Sequence, residues 1–143
     1  MRWKMDKKRV LSKIDELDSY LAELDTIKPV NFEEYGNSVE KKRACERLLQ
    51  ISIEAVVDMC NMIISGLKLG LPANEEEILN KLENKRVISK EMKKILTKMK
   101  GFRNILVHKY GAVDDELVFE MLPEKSEDFE KFREEILRFL EKF

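Results

Sequence analysis

The 143 residues include only five glycines, three prolines, two cysteines and a single histidine. So few glycines and prolines leave little material for the many tight turns of a β-rich fold. No run of alternating apolar and polar residues persists, so the period-two signature of half-buried strands is missing, and no internal repeat is visible. The two cysteines, Cys45 and Cys60, fall fifteen positions apart within one helical pattern. That spacing is about 22 Å along an α-helix, far beyond disulfide reach. They have no CxxC spacing and no neighbouring histidine, so neither a disulfide nor a metal site is expected. A signal peptide and a long uncharged apolar run are also missing, which points to the cytoplasm and away from a membrane. With a net charge of −1, the chain is not a polyanion binder by bulk charge.

Apolar residues make up 43% of the chain and charged residues 38%, the latter mostly Lys and Glu. That charge content suits surface ion-pair networks of the kind found in heat-adapted proteins. The length fits a single domain spanning 1–143 with one core. Val10, Leu11, Ile14, Leu17, Leu21 and Leu24 repeat at three and four, which predicts an amphipathic first helix ended by Pro29. Asn31 to Asn37, with Phe32, Tyr35 and Gly36, reads as a connection. A second helix starts at Ser38, a plausible N-cap, runs to about Lys68, and is closed by Gly66, Gly70 and Pro72. From Leu48 to Leu67 it is apolar on almost all sides, as expected of the central element of a bundle or of a face against another subunit. Glu54 and Asp58 are its only charges between Ile51 and Leu67. They share one face with Gln50, Asn61 and Ser65 nearby.

A short third helix follows Asn74, which has capping-box spacing to Glu77, and ends near Lys85. A fourth runs from about Ser89 to His108 or Tyr110, with Gly111 as its stop and Gly101 as a weak point for rigidity. Asp114 can cap a further turn or two through Met121, before Pro123. A last helix spans Glu127 to Glu141. The fold class is therefore all-α, an up-and-down bundle of four to five main helices.

Charge is unevenly placed. Ser89 to Tyr110 carries seven Lys or Arg against Glu91 alone, whereas Gly111 to Phe143 carries eleven Asp or Glu against five Lys or Arg. A basic helix beside an acidic tail could bind RNA, dock an acidic partner, or pair with its own tail.

The one histidine, His108, sits five residues after Arg103 at the end of that basic helix. Imidazole titrates near neutrality, and a neighbouring guanidinium favours its neutral form, ready to act as a base. Arginine grips phosphate oxygens through two hydrogen bonds. A base and a phosphate clamp are what metal-free RNA cleavage requires. Residues five apart on an ideal helix are turned by about 140°, however, so Arg103 and His108 would not share a face, whereas Asn104 and His108 would. A π-bulge, a curled arginine side chain or a second copy of the chain could complete the site; the very apolar second helix favours the dimer. Blander readings stand beside this one. His108 could be only a dipole partner at a helix end, Arg103 could pair with Glu54 or Asp58, and Tyr110 could be a packing residue. Leu106 and Val107 read as core.

The string Arg103-Asn104-Ile105-Leu106-Val107-His108-Lys109-Tyr110 resembles the R-x4-H-x-Y motif of HepT-like toxins in the HEPN superfamily. The likeness extends over roughly Arg9 to Phe139, through the Leu49-Gln50-Ile51-Ser52-Ile53-Glu54 segment, Asp58 one turn later, and the Leu71-Pro72 break. The resemblance implies a homodimeric helical bundle that acts as a metal-independent ribonuclease and needs no cofactor. It places Arg103 on the scissile phosphate, His108 as acid and base, and Asn104 as a residue that could orient His108; whether Glu54 and Asp58 support the site or form only a solvated stripe is left open by the sequence. It further implies a toxin whose partner, a minimal nucleotidyltransferase antitoxin of the MntA type, adenylylates Tyr110. The alternative is a non-catalytic nucleotide- or RNA-binding module that docks substrate for such a nucleotidyltransferase.

Overall fold

The computed structural model describes residues 5–107 and 114–143. Among the described residues the chain forms six helices and no strand: α1 (Lys7–Ile27), α2 (Phe32–Gly36), α3 (Val39–Gly66), α4 (Glu75–Asn84), α5 (Lys90–Val107) and α6 (Asp115–Leu140).

Side-chain caps set most helix starts. Asn31 Oδ1 accepts from the Glu34 amide at 2.8 Å and Ser38 Oγ from the Lys41 amide at 3.1 Å. Asn74 Oδ1 accepts from the Glu77 amide at 2.9 Å, and Glu77 reaches back to the Ala73 amide at 3.0 Å. That is a capping box shifted outward by one residue on its return bond. Ser89 Oγ accepts from the Met92 amide, and Asp114 from the amides of Glu116 and Leu117. The end of α3 is less conventional. Lys68, not a glycine, takes the left-handed conformation at φ 53°, while the Leu69 amide reaches back to the Ile64 carbonyl. Gly66 is the last helical residue, and a Cβ there would lie 3.0 Å from Met5 Cγ, so its small size admits the N-terminal segment.

α3 touches each of the other five helices, most extensively α1. Leu49, Ile53, Met59 and Ile63 are fully buried along it, which is why its sequence is apolar on nearly every side. By length and composition it could cross a membrane, but these residues face the other helices, with Phe129, Phe132 and Ile136 of α6 in the same core. Cys45 and Cys60, both buried and unbridged, also lie on α3.

Three expectations need correction. The Asn31–Asn37 connection contains the one-turn helix α2, which seats Tyr35 in the core against Phe119 of α6. Pro123 does not separate two helices, because α6 runs continuously through it. Proline removes one hydrogen bond and costs about 3 kcal/mol inside a helix, but Val118 and Leu122 on one side of it and Phe129 and Phe132 on the other are all buried. Val107 is 44% exposed rather than core, because the buried stripe of α5 runs Met92, Leu96, Met99, Phe102 and Leu106.

Candidate active site

Phe102 and Leu106 are buried and fix the rotation of the last turns of α5, which leaves Arg103 part-exposed and Asn104 exposed. Arg103 turns toward the start of α4. Its Nη2 donates to Glu75 Oε1 at 3.2 Å. Lys100, one turn earlier on α5, lies 3.1 Å from the other oxygen of the same carboxylate. One glutamate thus bridges two cations. Partial burial would raise the Glu75 carboxyl, but the hydrogen bonds and charges of Lys100 and Arg103 outweigh it and hold the group below its ordinary value. Glu75 and Lys100 also edge a narrow apolar crevice between α3, α4 and α5, lined by Ile53, Val56, Cys60 and Leu96. Burial there pushes the Cys60 thiol up to about 12, so it is no nucleophile at neutral pH.

His108 and Tyr110, the other two motif residues, lie outside the described residues, as does Gly111. The carboxylates read as partners for Arg103 are engaged elsewhere. Asp58 lies 3.4 Å from Lys13 of α1, and Glu54 accepts from Gln50 at 3.1 Å. Glu75 holds the arginine instead. Nothing local in the sequence marks it, since it sits 28 residues before Arg103 and shares the first turn of α4 with Glu76 and Glu77.

Nor does the basic helix neutralise itself on the acidic tail. Among the described residues its ion pairs run to α4, through Glu75 to Lys100 and Arg103 and through Glu83 to Lys93 at 3.6 Å. The tail touches its beginning through neutral donors: Glu135 accepts from the Ser89 amide at 2.7 Å and from its hydroxyl at 2.9 Å. Among the described residues no three His, Cys, Asp or Glu side chains gather as a metal-holding group. An open groove of about 620 Å³ between α1 and α6, edged by Asp18, Asp25, Glu130 and Arg133, includes none of the candidate residues.

Comparison with known proteins bears on the family and the fold. The tRNA nuclease HepT of Aphanizomenon flos-aquae is 30% identical over 108 residues, which is 76% of this chain and 74% of that protein. The mRNA nuclease HepT of Shewanella oneidensis is 33% identical over 84 residues, 59% of this chain and 63% of that one. In fold, the chain resembles the tri-AMPylated Shewanella oneidensis HEPN toxin, solved in complex with its MNT antitoxin. The TM-score is 0.81 at 24% identity, over 90% of this chain and 96% of that one. The family model described as ribonuclease HepT-like matches residues 11–136, from the first helix to the last and through the whole of α5. The chain therefore belongs to the ribonuclease HepT-like family.

Proposed function

We propose that this ribonuclease cuts RNA without a metal ion, in a cleft formed by two copies of the chain. Arg103 would hold the scissile phosphate and His108 would move the proton. The observation that carries this reading is the presentation of Arg103 at the motif end of α5. Its guanidinium spends one nitrogen on Glu75, and the remaining donors have no protein partner among the described residues. A planar fork of that kind suits two oxygens of one phosphate. In the proposed step His108 takes the proton of a ribose 2′-hydroxyl and the freed oxygen attacks the adjacent phosphorus. The bond to the 5′-oxygen then breaks, leaving a cyclic phosphate, while Arg103 stabilises charge on the non-bridging oxygens. The departing oxygen is protonated by an imidazolium, for which the second copy's His108 is available. Asn104, exposed beside Arg103, would orient His108. Ile105 and Val107 are apolar yet 43% and 44% exposed, and they supply a face for the second copy at the motif itself.

RNA is the substrate class. The two relatives are named for tRNA and mRNA, so family membership alone does not choose between them. As a toxin, the protein would be silenced by a minimal nucleotidyltransferase that adds AMP to Tyr110, two residues beyond His108. The added phosphate would sit where the RNA backbone has to bind. The setting would be the cytoplasm.

The test is incubation of purified protein with RNA in EDTA. Cleavage that survives chelation and disappears in His108→Ala and Arg103→Ala supports the reading, and wild-type protein that leaves all RNA intact overturns it. Incubation with the partner enzyme and ATP should add AMP to the wild type and none to Tyr110→Phe; equal labelling of both would reassign the acceptor.

A further inference from the structure

We infer that Glu75 is a positioning residue for catalysis, locking the Arg103 guanidinium in the orientation that receives the scissile phosphate. The inference rests on the Arg103/His108 reading above and extends it to a helix outside the motif.

The geometry is that of a lock. An arginine side chain has many rotamers, and its freezing on substrate binding would be lost from the transition state. Here Glu75 Oε1 holds Nη2 at 3.2 Å. The carboxylate cannot easily swing away, because Lys100 holds Oε2 at 3.1 Å. Lys100 and Arg103 stand three residues apart on α5, about 4.5 Å along its axis, so the two bonds pull on one carboxylate from adjacent turns.

Glu75 itself is delivered by a fixed element. It occupies the first turn of α4, directly after the Asn74 cap, and α4 is seated by the buried Ile78, Leu79 and Leu82. Lys81 of α4 further donates to the Leu69 carbonyl at 2.8 Å. The carboxylate therefore has a defined place before any ligand arrives. The Arg103 and Lys100 side chains are 22% and 19% exposed and the Glu75 side chain 43% exposed, so the hold rests on the paired geometry more than on shielding from solvent.

A competing account would make Glu75 a stand-in for phosphate that RNA must displace. Against it, the contact to Arg103 uses a single nitrogen, whereas a phosphate seated in the fork would take two. The two accounts also predict opposite signs. Glu75 subtracts one negative charge from the site when mutated, so RNA should bind at least as well. A lock then predicts a loss in kcat without a rise in KM, and a displaceable mimic predicts a gain in kcat/KM.

The experiment compares wild type, Glu75→Gln and Glu75→Ala, with Glu83→Gln as a control, because Glu83 makes the other ion pair between α4 and α5. For Glu75→Ala, kcat should fall roughly 10- to 100-fold, the scale of a small misplacement of a catalytic group, with KM unchanged or lower. Glu75→Gln keeps one accepting oxygen and should fall between. A drop of the same size in Glu83→Gln would show that the effect is only loosened packing of α4, and would overturn the inference, as would a rise in kcat/KM for Glu75→Ala. A second readout needs no catalysis. NMR of the Arg103 guanidinium should show slow rotation of its Nη groups in free wild type and fast rotation in Glu75→Ala, with Glu83→Gln like wild type. Equal rotation in wild type and Glu75→Ala would remove the lock even where cleavage is intact. Slow rotation in a wild type that cuts no RNA would keep the lock and discard the catalytic reading.

Discussion

The Lys125 ammonium lies 5.6 Å from the centroid of the Phe102 ring, one residue before Arg103. The cation is buried, and its carboxylate partner is Asp128, 3.7 Å away on the next turn of α6. That distance is an ion pair without a hydrogen bond. Burial first, and then the neighbouring Glu124 and Glu127, raise the Asp128 carboxyl despite Lys125 and Lys131. A buried pair costs desolvation that hydrophobic residues avoid, but removing one member strands the other. Asp128→Ala should therefore destabilise by roughly 3 kcal/mol, and adding Lys125→Met should recover most of that loss, since Met keeps the stem over Phe102. Chemical denaturation of both variants checks this; a double variant no more stable than Asp128→Ala contradicts it.

The same pair gives a pH dependence. A carboxyl raised in the folded state binds its proton more tightly there than in the unfolded chain, so it favours folding at low pH. That contribution is lost as pH rises from the unfolded value through the raised one. The stability profile of Asp128→Asn, compared with wild type across the acid range, should lack this downward component. Parallel profiles would count against the raised carboxyl.

Gly101 offers a separate handle on the motif helix. It lies inside α5, and a Cβ built there meets nothing within 4 Å. Glycine inside a helix costs roughly 0.5–1 kcal/mol relative to alanine through its extra freedom in the unfolded chain. Gly101→Ala should raise the thermal midpoint by about 2–4 °C. A lower midpoint would mean that another surface packs closely on this face, as in a dimer.

Which parts of this molecule were readable from the chain follows from how far each determinant reaches. Ser38 and Asn74 bond to amides three residues on, so a window of a few residues contains the whole cause, and those helix starts were legible. The five-residue α2 is too short to show a period, and what holds it is Tyr35 packing on Phe119, 84 positions away in sequence. Pro123 misled for the opposite reason: a strong local rule was overridden by burial on both sides of it. At the site, Arg103 and Asn104 could be named from the motif, but the partner of Arg103 could not. Pairing it with Glu54 or Asp58 was chemically reasonable and geometrically wrong, because Asp58 faces Lys13 of α1 while Arg103 faces α4. Only the packing of α4 onto α5 distinguishes Glu75 from the two glutamates that follow it.

Tyr35 is the next place where the fold carries a cost. Its ring is fully buried and lies 5.8 Å from Phe119, centroid to centroid. Among the described residues its hydroxyl finds no hydrogen-bond partner. Burial, followed by the neighbouring Cys45, Glu46 and Asp115, raises its ionisation well above the ordinary phenol range, so the group is neutral at any accessible pH. An unpaired buried hydroxyl costs about 1–3 kcal/mol, and Phe keeps every ring contact. Tyr35→Phe should thus be neutral or stabilising, with a rise of up to several degrees in the thermal midpoint. A clear fall would show that the hydroxyl has a partner that packing alone does not reveal.

Pro123 carries the largest local penalty and so the largest expected gain. It is the ninth residue of α6, too far in for the first-turn tolerance that proline enjoys. Without an amide hydrogen it leaves the Phe119 carbonyl short of its helical partner, and its ring crowds that same carbonyl. The residue is exposed, so no core contact is lost when the ring is removed. Replacement by alanine should restore the bond and stabilise the protein by roughly 1–3 kcal/mol, up to the full penalty of a proline inside a helix. The measurement is the denaturation midpoint of Pro123→Ala, read with RNA cleavage. Greater stability with unchanged cleavage is the expected pair of results. Unchanged or lower stability would mean that the proline ring shapes α6 so that Val118 and Phe129 seat together in the core, and that alanine loses in packing what it recovers in hydrogen bonding.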